Sequence, residues 1–198
     1  TSGDRRGAEA AAEEAVRVLG DAGPSPELGT ALSNQSGLAM LAQRDGEAIE
    51  LGERAAAIAL AVGDPETEIN AKVNIGSSMA RSDLDAGLAL LESTARSAAE
   101  RGYDDPAGRA LINAAWNALD QHRLDAAPRL IERALTFAED RELSLYAAYL
   151  QVMRAMLALA RGELPAARTA LASAPDAHPA PSIVARAGIA VRSGDPDA

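Results

Sequence analysis

The chain has 198 residues, 47% hydrophobic and 24% charged, which is enough apolar material for a packed core and excludes a disordered tail. It has no cysteine, which excludes disulfides, thiolate metal sites and a cysteine nucleophile, and its 29 acidic against 19 basic residues give a formal charge of -10. That charge repels phosphate backbones and anionic headgroups, and no apolar run is long enough to span a bilayer, so no direct nucleic-acid or membrane contact is expected.

Aromatic residues make up 3% of the chain, while alanine and leucine dominate. A core of small and aliphatic side chains suits helices that approach closely, so the expected class is all-α. The polar start, Thr1 to Gly7, is unlike a signal sequence, and a cytoplasmic protein is expected.

In chain order, the apolar periodicity predicts helices at about 8–22, 26–42, 46–62, 65–80, 84–101, 106–119, 124–140, 143–160, 164–174 and 182–192. They alternate as helix B and helix A of a repeating hairpin, beginning with a helix B. Leu84, Leu124 and Leu164 stand at intervals of forty, each opening a similar run: Leu84-Asp-Ala-Gly87, Leu124-Asp-Ala-Ala127 and Leu164-Pro-Ala-Ala167. An earlier copy is Asp45-Gly-Glu-Ala48. Within helix B small residues recur seven apart, as Ala48 with Ala55, Ala127 with Ala134 and Ala167 with Ala174, which places them on one face two turns apart. Each helix A carries an asparagine before a small residue: Asn34-Gln-Ser36, Asn74-Ile-Gly76 and Asn113-Ala-Ala115.

Tight turns at 43–45, 81–83, 120–123 and 161–163 join A to B. Gly23-Pro24, Gly63-Asp64-Pro65 and Gly102 to Pro106 separate the hairpins, with glycine suited to the left-handed residue after a helix and proline to a first turn. Ala174 to Pro181 is a proline-rich connector with a short helix B before it. Residues 1–198 read as one repeat domain, cut mid-repeat at both ends: Ala8 and Ala15 open in a helix B, and Arg192 to Ala198 resembles an A-to-B turn. Such ends invite association of two copies, so a homodimer is among the expected states.

The small positions Ser36, Gly76, Ala115 and Ala155, then Ala48, Gly87, Ala127 and Ala167, then Ala55, Ala134 and Ala174, resemble the tetratricopeptide family in order and spacing; Thr94 departs from the third position. The resemblance implies a right-handed superhelical α-solenoid. More narrowly, Leu38-Ala-Met-Leu-Ala42, Gly46-Glu-Ala-Ile-Glu-Leu-Gly52, Leu145-Tyr-Ala-Ala-Tyr149 and Arg192-Ser-Gly-Asp-Pro-Asp-Ala198 resemble the helical region of large ATP-binding, LuxR-type regulators of actinobacteria, similar to the maltose-regulon activator. This likeness covers nearly the whole chain and implies a regulatory interaction or ligand-sensing module, with a protein, a peptide or a small-molecule effector as partner. A standalone scaffold joining two partners is the alternative, and an enzyme with a site between repeats is a third reading.

Little in the sequence points to catalysis. Lys72, in Asn70-Ala-Lys-Val73, has no glycine run before it and so forms no phosphate-binding loop. His122 and His178 lack partners at metal-ligand spacing, so neither a metal nor a cofactor is expected. The carboxylate pairs Glu13-Glu14, Asp104-Asp105 and Glu139-Asp140 read as solvated caps or faces.

The resemblance places the concave surface on the A helices, with Thr30, Ser33, Asn70, Val73, Ser77, Arg81, Arg109, Trp116, Tyr149 and Met156 exposed on it. Arg109 and Trp116, seven apart and of the types that dominate binding hot spots, are the expected anchors, with core filling the alternative for Trp116. Asn34, Asn74 and Asn113 are expected to bond neighbouring helix backbone. Val73, Asn74 and Ser77 hold the places of the basic carboxylate clamp of chaperone-binding relatives, so capture of a peptide C-terminus that way is not expected.

Overall fold

A computed structural model describes residues 5–174 and 179–193, and the described residues form ten helices and no strand. These are α1 (Arg5–Gly20), α2 (Pro26–Leu41), α3 (Asp45–Val62), α4 (Pro65–Met79), α5 (Leu84–Glu100), α6 (Asp104–Asp120), α7 (Ala127–Asp140), α8 (Ser144–Arg161), α9 (Leu164–Ala172) and α10 (Pro179–Ser193). The even-numbered helices are the A helices of the sequence and the odd-numbered ones the B helices. Much of the proline-rich connector, with His178, and residues 194–198 of the last expected turn lie outside the described residues.

The chain divides into two compact units, Thr1–Ala110 and Leu111–Ala198, with the boundary inside α6. In the first, α1 to α5 pack each on the next, and α2 also packs on α4. In the second, α8 packs on α7 and α9, and α10 packs on both α8 and α9. Contact of each helix with its successor, and of one helix A with the next, is the packing of a helix-turn-helix repeat.

Local chemistry explains the boundaries. Ser25 Oγ accepts from Leu28 N–H at 3.2 Å and Asp64 Oδ1 from Thr67 N–H at 3.2 Å, with Pro26 and Pro65 just inside the helices they open. Asp83 Oδ1 caps α5 through Ala86 N–H at 3.0 Å. After α3 the chain turns at Gly63 with φ 75°, in the left-handed region where glycine carries no steric penalty, as the sequence led us to expect. Gln43, His122 and Glu142 adopt the same region, at φ 58°, 56° and 56°, without that advantage.

Three helix starts differ from the sequence reading by three residues: among the described residues α1 begins at Arg5 and not 8, α10 at Pro179 and not 182, and α7 at Ala127 and not Leu124. Pro128 sits in its first turn; a helix begun at Leu124 would place that proline ring against a backbone carbonyl four residues earlier. The place held by the capping Asp83 in the preceding copy is held here by Arg123, which binds the Asp125 carboxylate at 3.1 Å instead of capping.

The repeated small residues are where helices meet. Ala48, Ala55, Ala115, Ala127, Ala155, Ala167 and Ser36 are fully buried. Ser36 Oγ donates to the Ala48 carbonyl at 2.7 Å, joining the small position of α2 to that of α3. A Cβ on Gly76 would lie 2.9 Å from Leu91 Cγ, and one on Gly87 would overlap the Ala80 backbone. In the first unit the apolar core includes Leu28, Leu32, Leu51 and Ala55; in the second it includes Val152, Leu159, Leu171, Ala185 and Ile189.

Two stability predictions follow from these contacts. Gly87→Ala should destabilise the first unit by about 1–3 kcal/mol, because the clash is with backbone and exceeds the roughly 1 kcal/mol gained in helix propensity; urea unfolding measures it. Thr94, the residue that departs from the small pattern, is 4% exposed and its hydroxyl has no hydrogen-bond partner. Thr94→Val keeps the shape and removes the unpaired hydroxyl, so it should stabilise by about 1 kcal/mol in the same assay.

Candidate binding surface

The structure separates the expected surface residues into accessible and buried sets. On α4, Val73 is fully buried and Ser77 is 3% exposed, and on α2 Ser33 is 5% exposed. These three are corrections to the expected row. The physical reason is that α4 packs on α2, α3 and α5, so its second half has almost no free face. Small polar side chains survive there by local bonding: Ser77 Oγ donates to the Val73 carbonyl at 2.8 Å. The run Val73 to Ser78 is buried at every position although Asn74, Ser77 and Ser78 stand at the spacing of a polar helix face, so the sequence pattern pointed to a surface that packing removed.

Asn74 behaves as expected, its Nδ2 donating to the Ser33 carbonyl at 2.9 Å across α2 and α4. Asn34 is exposed, and Asn113 receives on its own carbonyl the side-chain amide of Asn117 at 2.8 Å. Thr30 is exposed and shares a hydrogen bond of 3.1 Å with the Thr67 hydroxyl.

Two pairs of expected residues do come together, one in each unit. In the first, Arg109 Nη2 donates to the Asn70 side-chain oxygen at 2.9 Å and to its backbone carbonyl at 3.1 Å, and both residues are half-buried. The bifurcated bond holds the guanidinium against α4 while the residue keeps part of its surface open. In the second, the Trp116 and Tyr149 rings lie 6.3 Å apart, tilted by 38°, and both are half-buried. That separation is within the range of favourable aromatic pairs, so each ring orients the other. Burial also raises the Tyr149 phenol above its ordinary pKa, since the phenolate loses solvation. Trp116 packs beside Tyr149 and keeps part of its surface accessible.

Met156 and Arg81 have other roles. Met156 is half-buried against the α8–α10 core, and Arg81 turns back to Asp45 and the Met40 carbonyl. The carboxylate pairs sit at helix ends or on exposed faces: Asp104 and Asp105 in the first turn of α6, Glu14 in an exposed pair with Arg17, Glu139 and Asp140 exposed at the end of α7. Lys72 binds Glu68 at 2.5 Å on its own helix, and His122 is exposed in the turn after α6. Among the described residues no group of three histidines or acids is placed to hold a metal ion, and no helix is long and apolar enough to cross a membrane.

Sequence reasoning did not foresee a groove of about 430 Å³ in the second unit, between α7 and α9 with α8 as its floor. Glu132, Gln151, Arg154, Arg161, Thr169 and Ser173 line it, and Arg154 Nε binds Glu132 at 3.0 Å across it. Residues 151, 154, 158 and 161 recur at helical spacing on α8, a mixed stripe that is visible in the sequence once α7 and α9 are known to lie on either side.

No protein-family model and no curated protein sequence matches the chain. Among solved structures it is similar to the crystal structure of BtubC (BKLC) from P. vanneervenii, with a TM-score of 0.69 and 16% identity, over 98% of this chain and 86% of that one. At that identity the likeness is one of fold, and it agrees with the all-helical repeat described above.

The burial of Tyr149 has a pH consequence. Its folded pKa is raised above the unfolded value of about 10, so its contribution is intact below pH ~10 and is lost as the pH climbs through the folded pKa. Tyr149→Phe should therefore flatten the alkaline loss of stability, measured as unfolding midpoint against pH, and remove from a tyrosinate absorbance titration one phenol that ionises above its ordinary pKa.

Proposed function

We propose that this chain is a non-catalytic interaction or ligand-sensing module of a multidomain regulator of the LuxR type, with the accessible side chains of its A helices holding a protein, a peptide or a small effector. The observation that carries the proposal is the Trp116–Tyr149 pair: two large rings, mutually oriented and each partly open to solvent, form a rigid amphipathic anchor of the kind that concentrates binding energy. The Asn70–Arg109 pair supports it, since a guanidinium already positioned by two bonds loses little freedom when a partner docks. The acidic charge of -10 favours partners other than nucleic acid or anionic lipid. The regulator assignment rests on the sequence resemblance alone.

The test is native mass spectrometry on the purified chain, before and after incubation with lysate metabolites and small sugars, paired with fluorescence of the single tryptophan, Trp116. A bound small molecule that also shifts the Trp116 emission, and whose binding Trp116→Ala weakens by about ten-fold or more, supports an effector-sensing module. A ligand-free mass with unchanged emission removes the sensing reading and leaves protein docking. Retained binding in Trp116→Ala rejects the aromatic pair as the anchor.

A further inference from the structure

Three arginines at the ends of A helices reach back to backbone carbonyls one repeat earlier. Arg81, just past α4, donates through Nη2 to the Met40 carbonyl at 3.0 Å, and through Nε to Asp45 Oδ1 at 2.6 Å. Met40 lies in the last turn of α2 and Asp45 is the first residue of α3, so one guanidinium holds the preceding A-to-B turn from both sides. The side chains of Arg81 and Asp45 are only 23% and 32% exposed. In the second unit, Arg161 at the end of α8 donates through Nη2 to the Leu124 carbonyl at 2.8 Å, in the turn before α7. Arg192 near the end of α10 donates to the carbonyl of Leu159, in the last turn of α8.

The chemistry favours arginine. The Met40 and Leu159 carbonyls lie in the last turns of α2 and α8, at the negative end of the helix dipole, and each accepts the guanidinium in addition to a turn amide, from Gln43 and Gly162; the Leu124 carbonyl lies in a turn outside any helix. A guanidinium is a planar fork of five donors that can serve a carbonyl and a carboxylate together, whereas an ammonium is a point charge on a flexible stem. The sequence separations of 41, 37 and 33 residues are each close to one repeat.

We propose that Arg81, Arg161 and Arg192 are clamps between consecutive repeats, each tying the end of its own helix A to the preceding repeat so that neighbouring hairpins open together. A displacement at one turn is then passed to the next, which gives the fold a built-in coupling along each unit.

Native-state hydrogen exchange on the full chain tests this, comparing the wild type with Arg81→Ala, Arg81→Lys and, as a control on the exposed face of α3, Arg54→Ala. In Arg81→Ala, amides of 38–49 should exchange about ten-fold faster while α5 keeps its protection, as expected for loss of charge-assisted bonds at one turn. Arg81→Lys should recover only part of the difference, and Arg54→Ala should leave 38–49 unchanged. If the Arg81 variants do not fold, Arg161→Ala provides the same reading in the second unit, with faster exchange confined to 121–127. A uniform fall in protection across a unit would reduce the arginines to ordinary stabilising contacts and overturn the proposal, as would unchanged exchange at the turns.

Discussion

The close approach of neighbouring helices at small side chains is the constraint on which this structure depends. Ser36 Oγ reaches the Ala48 carbonyl directly, Gly87 leaves no room for a Cβ beside Ala80, and Ala155 and Ala167 share one buried cluster. With so few aromatic residues, burial comes from many short contacts between backbones separated by alanine, glycine or serine. The rest follows from keeping that spacing: caps that start helices on register, and turns that return the chain after two to six residues.

The two units meet the constraint differently. Most of the buried polar side chains lie in the first unit, among them Ser33, Ser36, Thr67, Asn74, Ser78 and Thr94, whereas the α8–α10 cluster of the second is aliphatic. Asn74 Oδ1, Ser78 Oγ and Thr94 Oγ1 are buried without partners, so the tight seams around α4 carry a cost that the aliphatic cluster avoids. The same crowding removes Val73 and Ser77 from any surface, while Asn70 and Arg109 stay half-buried as a polar pair.

Aromatic and charged side chains divide the remaining work. Trp116 and Tyr149 support each other while staying partly open to solvent. Arg81, Arg161 and Arg192 spend their donors on backbone carbonyls, so arginines that look like a polar surface in the sequence become part of the scaffold. Arg161 follows Arg81 by two repeat intervals, a regularity that the sequence contains but whose meaning depends on the partners.

The sequence by itself determined the all-helical class, the alternation of A and B helices and most boundaries to within two residues, because those depend on local rules: apolar periodicity, caps, prolines and left-handed glycines. Even the late start of α7 was written in Pro128. Only the tertiary structure decided which A-helix residues stay accessible, since that depends on which faces the neighbouring helices cover: the second half of α4 is closed off, whereas α2 keeps Thr30 and Asn34 open and α8 keeps part of Tyr149 open. It also decided what the turn arginines bind. A backbone carbonyl forty residues away has no side-chain identity, so no pattern of residue types could name it.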